Sequence, residues 1–121
     1  MNWKISATSV CMVCFASVSM ASAVDLIKTE KSAMDQLIQF KNDGKPYRFK
    51  KIDEAMGGLK QKFGEPTKVG KFGARWLFQS NDPAMCAEGS LSYDSQKNVV
   101  NAIGGRVGKC DGLVAELPLL K

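Results

Sequence analysis

The sequence contains no histidine, so it lacks the side chain on which many catalytic and metal sites depend. Without an imidazole there is no Ser–His or Cys–His nucleophile pair, and the common zinc sites lose a usual ligand. Also missing are a C-x-x-C redox motif, an S-x-x-K motif ahead of a helix after residue 23, and a glycine-rich phosphate loop that opens a helix. We therefore expect no catalytic residue, no metal ligand and no cofactor, and a protein that is not an enzyme.

The carboxylates offer little for acid–base chemistry. Asp53 and Glu54 are adjacent, and neighbours on a helix point about 100° apart, so they do not share a site. Favourable charge at a helix start explains this pair better. Asp82 and Asp94 stand in sequences typical of turns.

The N-terminal apolar stretch is too short to span a bilayer, which takes about 20 residues. Lys4 precedes the apolar run Val10–Val18, and Ala21-Ser22-Ala23 follows it as an A-x-A site. This is the pattern of a cleaved secretory signal peptide. We expect residues 1–23 to be removed near Ala23 and residues 24–121 to form one periplasmic or secreted domain without a transmembrane segment.

Two of the four cysteines lie in the predicted signal, which leaves Cys86 and Cys110 as a pair. In an oxidising compartment such a pair predicts a disulfide, whose loop closure contributes about 3 kcal/mol in the chain-entropy model. A metal site would lack histidine partners, and a redox dithiol would need closer spacing.

The stretch Ile52–Pro66 is the clearest secondary-structure signal. One apolar stripe recurs with helical spacing, Asp53 and Glu54 lie in the first turn, and lysines lie in the last. Gly64 and Pro66 predict the stop. The pair Gly57-Gly58 inside the helix is unfavourable, and we expect close packing against a neighbouring element to explain it, with a functional hinge as the alternative.

The other segments complete an α+β fold. A partial helical period predicts a first helix over Val24–Asn42, and alternation predicts strands over Arg75–Gln79, Ala87–Asp94 and Asn98–Ile103. If Tyr93 lies opposite Val99, then Leu91 faces Asn101 and Gly89 faces Ile103, but Val100 and Ala102 compete for the buried face. We expect Gly104-Gly105 as the end of the third strand and the tail from Leu113 as a cover for an open face or edge of the sheet. The predicted fold is two N-terminal helices packed on a three-stranded antiparallel β-meander, a two-layer sandwich.

Positive charge is concentrated in the middle of the chain. The whole chain carries +5, and loss of Lys4 with the signal leaves +4. Between Lys45 and Arg75 only Asp53, Glu54 and Glu65 oppose nine basic residues, a local excess of +6. This basic region consists of Lys45, Arg48, Lys50, Lys51, Lys60, Lys62, Lys68, Lys71 and Arg75.

The basic region predicts an anionic partner. An acidic protein is the leading candidate, and anionic lipid headgroups or an anionic glycan are alternatives. A secreted chain makes nucleic acid a poor candidate. The competing explanation is a solvated helix face and loop that keep a small protein dispersed.

The order of motifs resembles the SmpA/OmlA (BamE-like) family of bacterial envelope proteins. The resemblance rests on the helix end Leu59–Pro66, the aromatic strand Arg75–Phe78, and the hairpin sequence Leu91–Asp94 with Val99. It implies a helix–helix–three-strand domain without catalytic residues, which acts by binding as an accessory subunit at the outer membrane. The architecture of β-lactamase inhibitor proteins is related.

Two functions follow as hypotheses. The first is a non-enzymatic binding or accessory protein that uses its sheet face and basic region for protein–protein contacts. The second is an inhibitor or immunity protein that blocks a secreted or periplasmic enzyme. For the second, the basic surface favours an acidic target.

Overall fold

The computed structural model describes residues 24–119, with the side chain of Leu119 left aside. The predicted signal peptide and its cleavage site lie outside the described residues, as do Leu120 and Lys121. From the N-terminus the elements are β1 (Ile27–Lys28), α1 (Ala33–Gly44), a 3₁₀ turn (Lys45–Tyr47), α2 (Ile52–Phe63), β2 (Lys68–Val69), β3 (Gly73–Gln79), β4 (Met85–Asp94), β5 (Val99–Lys109), α3 (Cys110–Glu116) and a second 3₁₀ turn (Leu117–Leu119).

The five strands form one sheet in which β3, β4 and β5 are neighbours in antiparallel order. β1 and β2 both lie along the outer edge of β3. β1 pairs parallel with Phe78 and Gln79, and β2 pairs antiparallel with Ala74 and Arg75. β5 is therefore the last strand at the opposite edge.

The main core lies between the sheet and the pair α1 and α2. Phe40 of α1 is fully buried, and its ring centroid lies 5.5 Å from that of Trp76 on β3. Trp76 also fastens the end of α2, because its indole N–H donates to the carbonyl of Gly64 over 2.9 Å. This packing confirms the predicted inward orientation of Trp76 and Phe78.

A smaller core lies on the other face of the sheet, under α3. Leu113 and Leu117 pack there against Leu77, next to the disulfide. Cys86 and Cys110 are bonded with a Cα–Cα distance of 4.9 Å, which confirms the predicted disulfide. The tail thus covers part of the far face, one of the two places that the sequence analysis predicted.

The predicted fold class holds at the level of α+β, but the description as two helices and three strands is too simple. α3 is a third helix, and β1 and β2 widen the sheet to five strands. Each added strand has two residues, so neither shows an alternating pattern of its own. They are strands only because they form backbone hydrogen bonds with the edge of β3.

The predicted end and register of the third strand were wrong. β5 continues through Gly104 and Gly105, which pair with Ser90 and Gly89. Tyr93 lies opposite Val100 instead of Val99, and the register then shifts between Ser92 and Tyr93, so that Leu91 lies opposite Ile103. An irregularity of this kind inserts one residue and changes every later pair.

The first helix begins later than predicted. Ser32 is its N-cap, and the Ser32 hydroxyl accepts the N–H of Asp35 over 3.1 Å. α2 was predicted correctly, and Gly64 ends it with a positive φ of 84°. Close packing explains Gly58, since a Cβ there would lie 1.9 Å from the Tyr47 hydroxyl oxygen and the Tyr47 side chain would have to move, whereas Gly57 has nothing within 4 Å.

Candidate partner-binding surface

The fold disperses the nine residues of the basic region over three places. Lys45, Arg48, Lys50 and Lys51 are exposed around the connection from α1 to α2. Lys60 and Lys62 lie in the last turn of α2. Lys68, Lys71 and Arg75 lie on the β2–β3 hairpin, at the edge of the sheet opposite to β5.

Two of these charges have local partners. The Lys60 ammonium lies 3.5 Å from the Glu65 carboxylate, and the Lys62 ammonium lies 3.6 Å from that of Asp43. Such exposed pairs add little stability, about 0–1 kcal/mol. They do cancel charge locally, so the last turn of α2 is less positive than its sequence indicates.

Lys45 and Arg48 are brought together with Lys41, which lies outside the basic region. Together with Lys41 they line a cavity of about 440 Å³, whose remaining walls are Asn42, Ala102 and Ile103. No carboxylate is among these lining residues. The missed signal was the spacing of Lys41 and Lys45, which places both on one face of the helix.

The two flanks of α1 differ in chemistry. Its buried stripe includes Leu37, Phe40 and Gly44. On one flank Asp43 pairs with Lys62 of α2. By helical spacing the other flank carries Met34, Ile38, Lys41 and Lys45. Met34 is 54% exposed and Ile38 is 49% exposed, so this flank offers apolar and basic side chains together.

This second flank lies along β5, the last strand of the sheet. Gly44 approaches Ile103 so closely that an added Cβ would lie 2.7 Å from a methyl carbon of Ile103, and an added Cβ on Gly105 would lie 2.6 Å from Leu37. α1 therefore runs antiparallel to β5. The turns that carry Met34 and Ile38 lie beside the later half of the strand, and Lys41 and Lys45 lie beside its first half. We call Met34, Ile38, Lys41, Lys45, Arg48, Ala102 and Ile103 the edge surface.

One end of this strand edge is occupied by the chain itself. Val100 donates its N–H to Lys50 and accepts the N–H of Phe49, with distances of 2.8 and 2.9 Å. Phe49 has a φ of 68°, which is uncommon for a bulky side chain, and it is 69% exposed. The segment thus leaves the strand edge at Phe49.

The far face of the sheet carries a different, charge-balanced cluster. Arg106 donates from Nε to Glu88 over 3.0 Å and from Nη2 to Glu116 of α3. The hydrogen bond to Glu116, followed by the charge and hydrogen bond of Glu88, raises the pKa of Arg106. These residues line a cavity of about 310 Å³ with Arg75, Ser90 and Gly105. The arrangement fastens α3 to the sheet.

Two negative findings concern residues 24–119. No helix in this part is both long and apolar enough to cross a membrane. No three side chains of the Cys, Asp or Glu type come together there in a way that could hold a metal ion. The disulfide is compatible with a periplasmic or extracellular location, where such bonds persist.

Comparison with known proteins identified no relative. No protein-family model matches the chain, and neither a curated protein nor a solved structure matches it.

Proposed function

We propose that this chain is a non-enzymatic binding protein of the periplasm or extracellular space that holds an acidic protein partner on its edge surface. The observation that supports this most is the pairing of exposed Met34 and Ile38 with Lys41, Lys45 and Arg48 on one flank. Apolar contact area gives affinity, and unopposed positive charge selects an acidic partner and speeds its approach.

The charge distribution separates this surface from the last turn of α2 and from the cluster on the far face. Lys60 and Lys62 have carboxylate partners, and Arg106 has two. Lys41, Lys45 and Arg48 line their cavity without a carboxylate. The resemblance to SmpA/OmlA proteins supports an accessory role in an envelope complex, with the basic surface as its contact.

The proposal is tested by retention of partners on the immobilised chain. Extracts of the envelope and secreted fractions of the producing cells are passed over the native chain and over the double variant Lys45→Glu/Arg48→Glu. The matched control is Lys71→Glu/Lys97→Glu, which makes the same charge change at exposed positions outside the edge surface.

We expect an acidic protein to be retained by the native chain and by the control, and to be lost from the edge variant. Retention should fall as salt rises, because the Debye length shortens to about 8 Å at 0.15 M. Equal retention by all three chains, or retention of none, would contradict the proposal, as would binding to phosphatidylglycerol vesicles in place of a protein.

A second candidate function, inhibition of a secreted enzyme, is favoured by Phe49. Its ring projects from the surface on a backbone of positive φ, and the Arg48 guanidinium carbon lies 4.9 Å from the ring centroid. An exposed aromatic held by a constrained backbone suits insertion into a partner's cleft. Stoichiometric inhibition of an acidic secreted hydrolase, lost in Phe49→Ala, would favour this function, and Phe72→Ala, also an exposed aromatic, serves as the control.

A further inference from the structure

The outer edge of β5 is the least complete part of the sheet. The odd-numbered residues of β4 direct their backbone groups toward β3, as shown by Tyr93, whose N–H donates to Phe72, and by Met85, whose carbonyl accepts the N–H of Ser80. The even-numbered residues of β4 therefore face β5. Their partners are Ala102, Gly104, Arg106 and Gly108.

Backbone direction alternates along a strand, so Ile103, Gly105 and Val107 point their N–H and C=O groups away from β4. Among residues 24–119, no strand pairs with these outward groups. An unpaired row of donors and acceptors is a template for another strand.

The side chains of Ile103 and Val107 lie on the same side of the sheet as α1, and Gly105 turns the side on which a Cβ would stand toward α1. Ile103 and Val107 pack partly against the main core, and Gly105 approaches Leu37. The exposed flank of α1 thus forms a wall beside the open edge. A strand edge flanked by a helix is a common geometry for binding an extended peptide by strand addition.

The chain itself pairs with the first part of this edge. Lys51 forms an antiparallel bridge with Val99, and the segment leaves at Phe49, where φ is 68°. A second segment in the same antiparallel sense would continue the row from Ile103 to Val107.

We propose that β5 binds an extended acidic segment of a partner protein by antiparallel strand addition, with Met34 and Ile38 contacting its apolar side chains and Lys41, Lys45 and Arg48 contacting its carboxylates. This inference rests on the proposed function and specifies how the partner is held. Charge complementarity selects the occupant, since a second copy of this chain would bring the same basic side chains to the edge.

The antiparallel sense orders the partner's residues. The N-terminal half of the added strand lies beside Met34 and Ile38, and its C-terminal half lies beside Lys41 and Lys45. A suitable probe is the peptide Thr-Val-Thr-Val-Thr-Glu-Thr-Asp-amide, which carries a fluorophore on its N-terminus in place of an acetyl group. Two residues that pair by hydrogen bonds across antiparallel strands place their side chains on the same face of the sheet. The valine and acidic residues of the probe must therefore be the ones that pair with Ile103, Gly105 and Val107. Their side chains then lie on the side of α1, and their amides face β5.

Two N-methylated versions of the probe, each blocked along one edge of the peptide, show whether binding depends on backbone hydrogen bonds to β5. Methyl groups on the valine and glutamate amides remove the donors that face β5 and obstruct pairing. Methyl groups on the last three of the four threonine amides alter the opposite edge and leave pairing intact. Both versions have the same charge and the same number of methyl groups.

The measurements are fluorescence anisotropy of the probe with the full chain at about 50 mM salt, where screening is weak, and amide hydrogen exchange of the complex. We expect the threonine-methylated probe to bind within about twofold of the parent and the valine- and glutamate-methylated probe to bind at least about tenfold more weakly. Lys45→Glu should weaken binding about fivefold, whereas Lys97→Glu should not. Exchange should slow at Ile103, Gly105 and Val107.

Several results would overturn strand addition. Equal binding of the two methylated probes would mean contact with the basic cavity alone, which leaves the proposed function standing. Failure of the parent probe to bind would refute this inference, while the extract experiment decides the proposed function separately. Concentration-dependent dimers in sedimentation that protect the same amides would assign the edge to a second copy.

Discussion

The two edges of the sheet differ in how their outward backbone groups are paired. Along β3 every gap is filled, because β1 and β2 pair with its two ends and the Thr67 hydroxyl accepts the N–H of Leu77 between them over 2.9 Å. Along β5 the segment Phe49–Lys51 pairs with the start of the strand and then turns away. Strands of only two residues are enough to pair with the edge of β3. A similarly short segment would have been enough to pair with the rest of β5, but the chain between residues 24 and 119 does not place one there.

The two edges also differ from the last turn of α2 and from the far face in whether their basic side chains are paired with carboxylates. Arg106 is saturated by two carboxylates on the far face, and the lysines at the end of α2 are paired. The cations beside the open edge of β5 line their cavity without carboxylates. Within residues 24–119 the lysines of the β2–β3 hairpin also lack a salt bridge, but the edge of β3 beside them is paired. Open backbone groups and unopposed charge occur together at β5, which is why we assign binding to it.

The largest expected effect concerns the disulfide, which holds the end of the open-edge strand to β4. Reduction, or the double variant Cys86→Ala/Cys110→Ala, should lower the free energy of unfolding by about 3 kcal/mol, because the unfolded chain regains the loop of 24 residues. Urea unfolding with and without a phosphine reductant measures this. The double variant should not respond to the reductant, and an unchanged midpoint for the reduced native chain would contradict the prediction.

A smaller effect is expected at the glycines of β5. Gly105→Ala should destabilise by about 2 kcal/mol, because its Cβ would lie 2.1 Å from the Glu88 carbonyl oxygen and force the backbone apart. The matched control is Gly104→Ala, whose Cβ would have its nearest neighbour, the Ser90 hydroxyl, at 3.6 Å. Equal stability of the two variants in thermal unfolding would show that the strand is not held as closely as described.

The closed edge is tested by Thr67→Val, which keeps the shape of the side chain and removes the acceptor for the buried Leu77 N–H. An unsatisfied buried donor should reduce stability by about 1.5 kcal/mol. In the control Thr29→Val, the lost bond to the Lys31 N–H is exposed and the change should stay below about 0.5 kcal/mol. A variant Thr67→Val as stable as the native chain would mean that this part of the edge does not need a cover.

The smallest effect concerns Tyr93, whose hydroxyl donates to the Gly70 carbonyl over 2.6 Å and fastens the covering hairpin. Burial raises the pKa of Tyr93 above its usual 10.0, so the folded chain holds this proton more tightly than the unfolded chain. Stability should therefore decline as the pH rises past about 10. Tyr93→Phe should lose about 1 kcal/mol at pH 7 and show a shallower alkaline decline. Superimposable alkaline curves for the two chains would contradict this.

Local patterns were sufficient for parts of the fold. The stripe and stop of α2 and the cysteine pair were predicted from the residues alone, and the structure has both. Helix propensity, capping and cysteine pairing act over short distances or leave a compositional trace, so they can be seen in one sequence.

Features that depend on a neighbour were missed. Gly104 and Gly105 were interpreted as a strand end, but β4 continues to pair with them. β1 and β2 exist because β3 offers an edge. Lys41 was omitted from the basic region, because counting charge along the chain does not show which residues share the flank of a helix. The open edge itself is a property of strand order and has no sequence pattern.

Amide hydrogen exchange at Ile103, Gly105 and Val107 tests the central claim most directly. In the free chain these outward amides should exchange much faster than the covered amide of Leu77, and addition of the acidic probe peptide should slow them while Leu77 stays unchanged. Outward amides that are already protected in the free chain, or that stay unprotected when the probe is bound, would contradict the account.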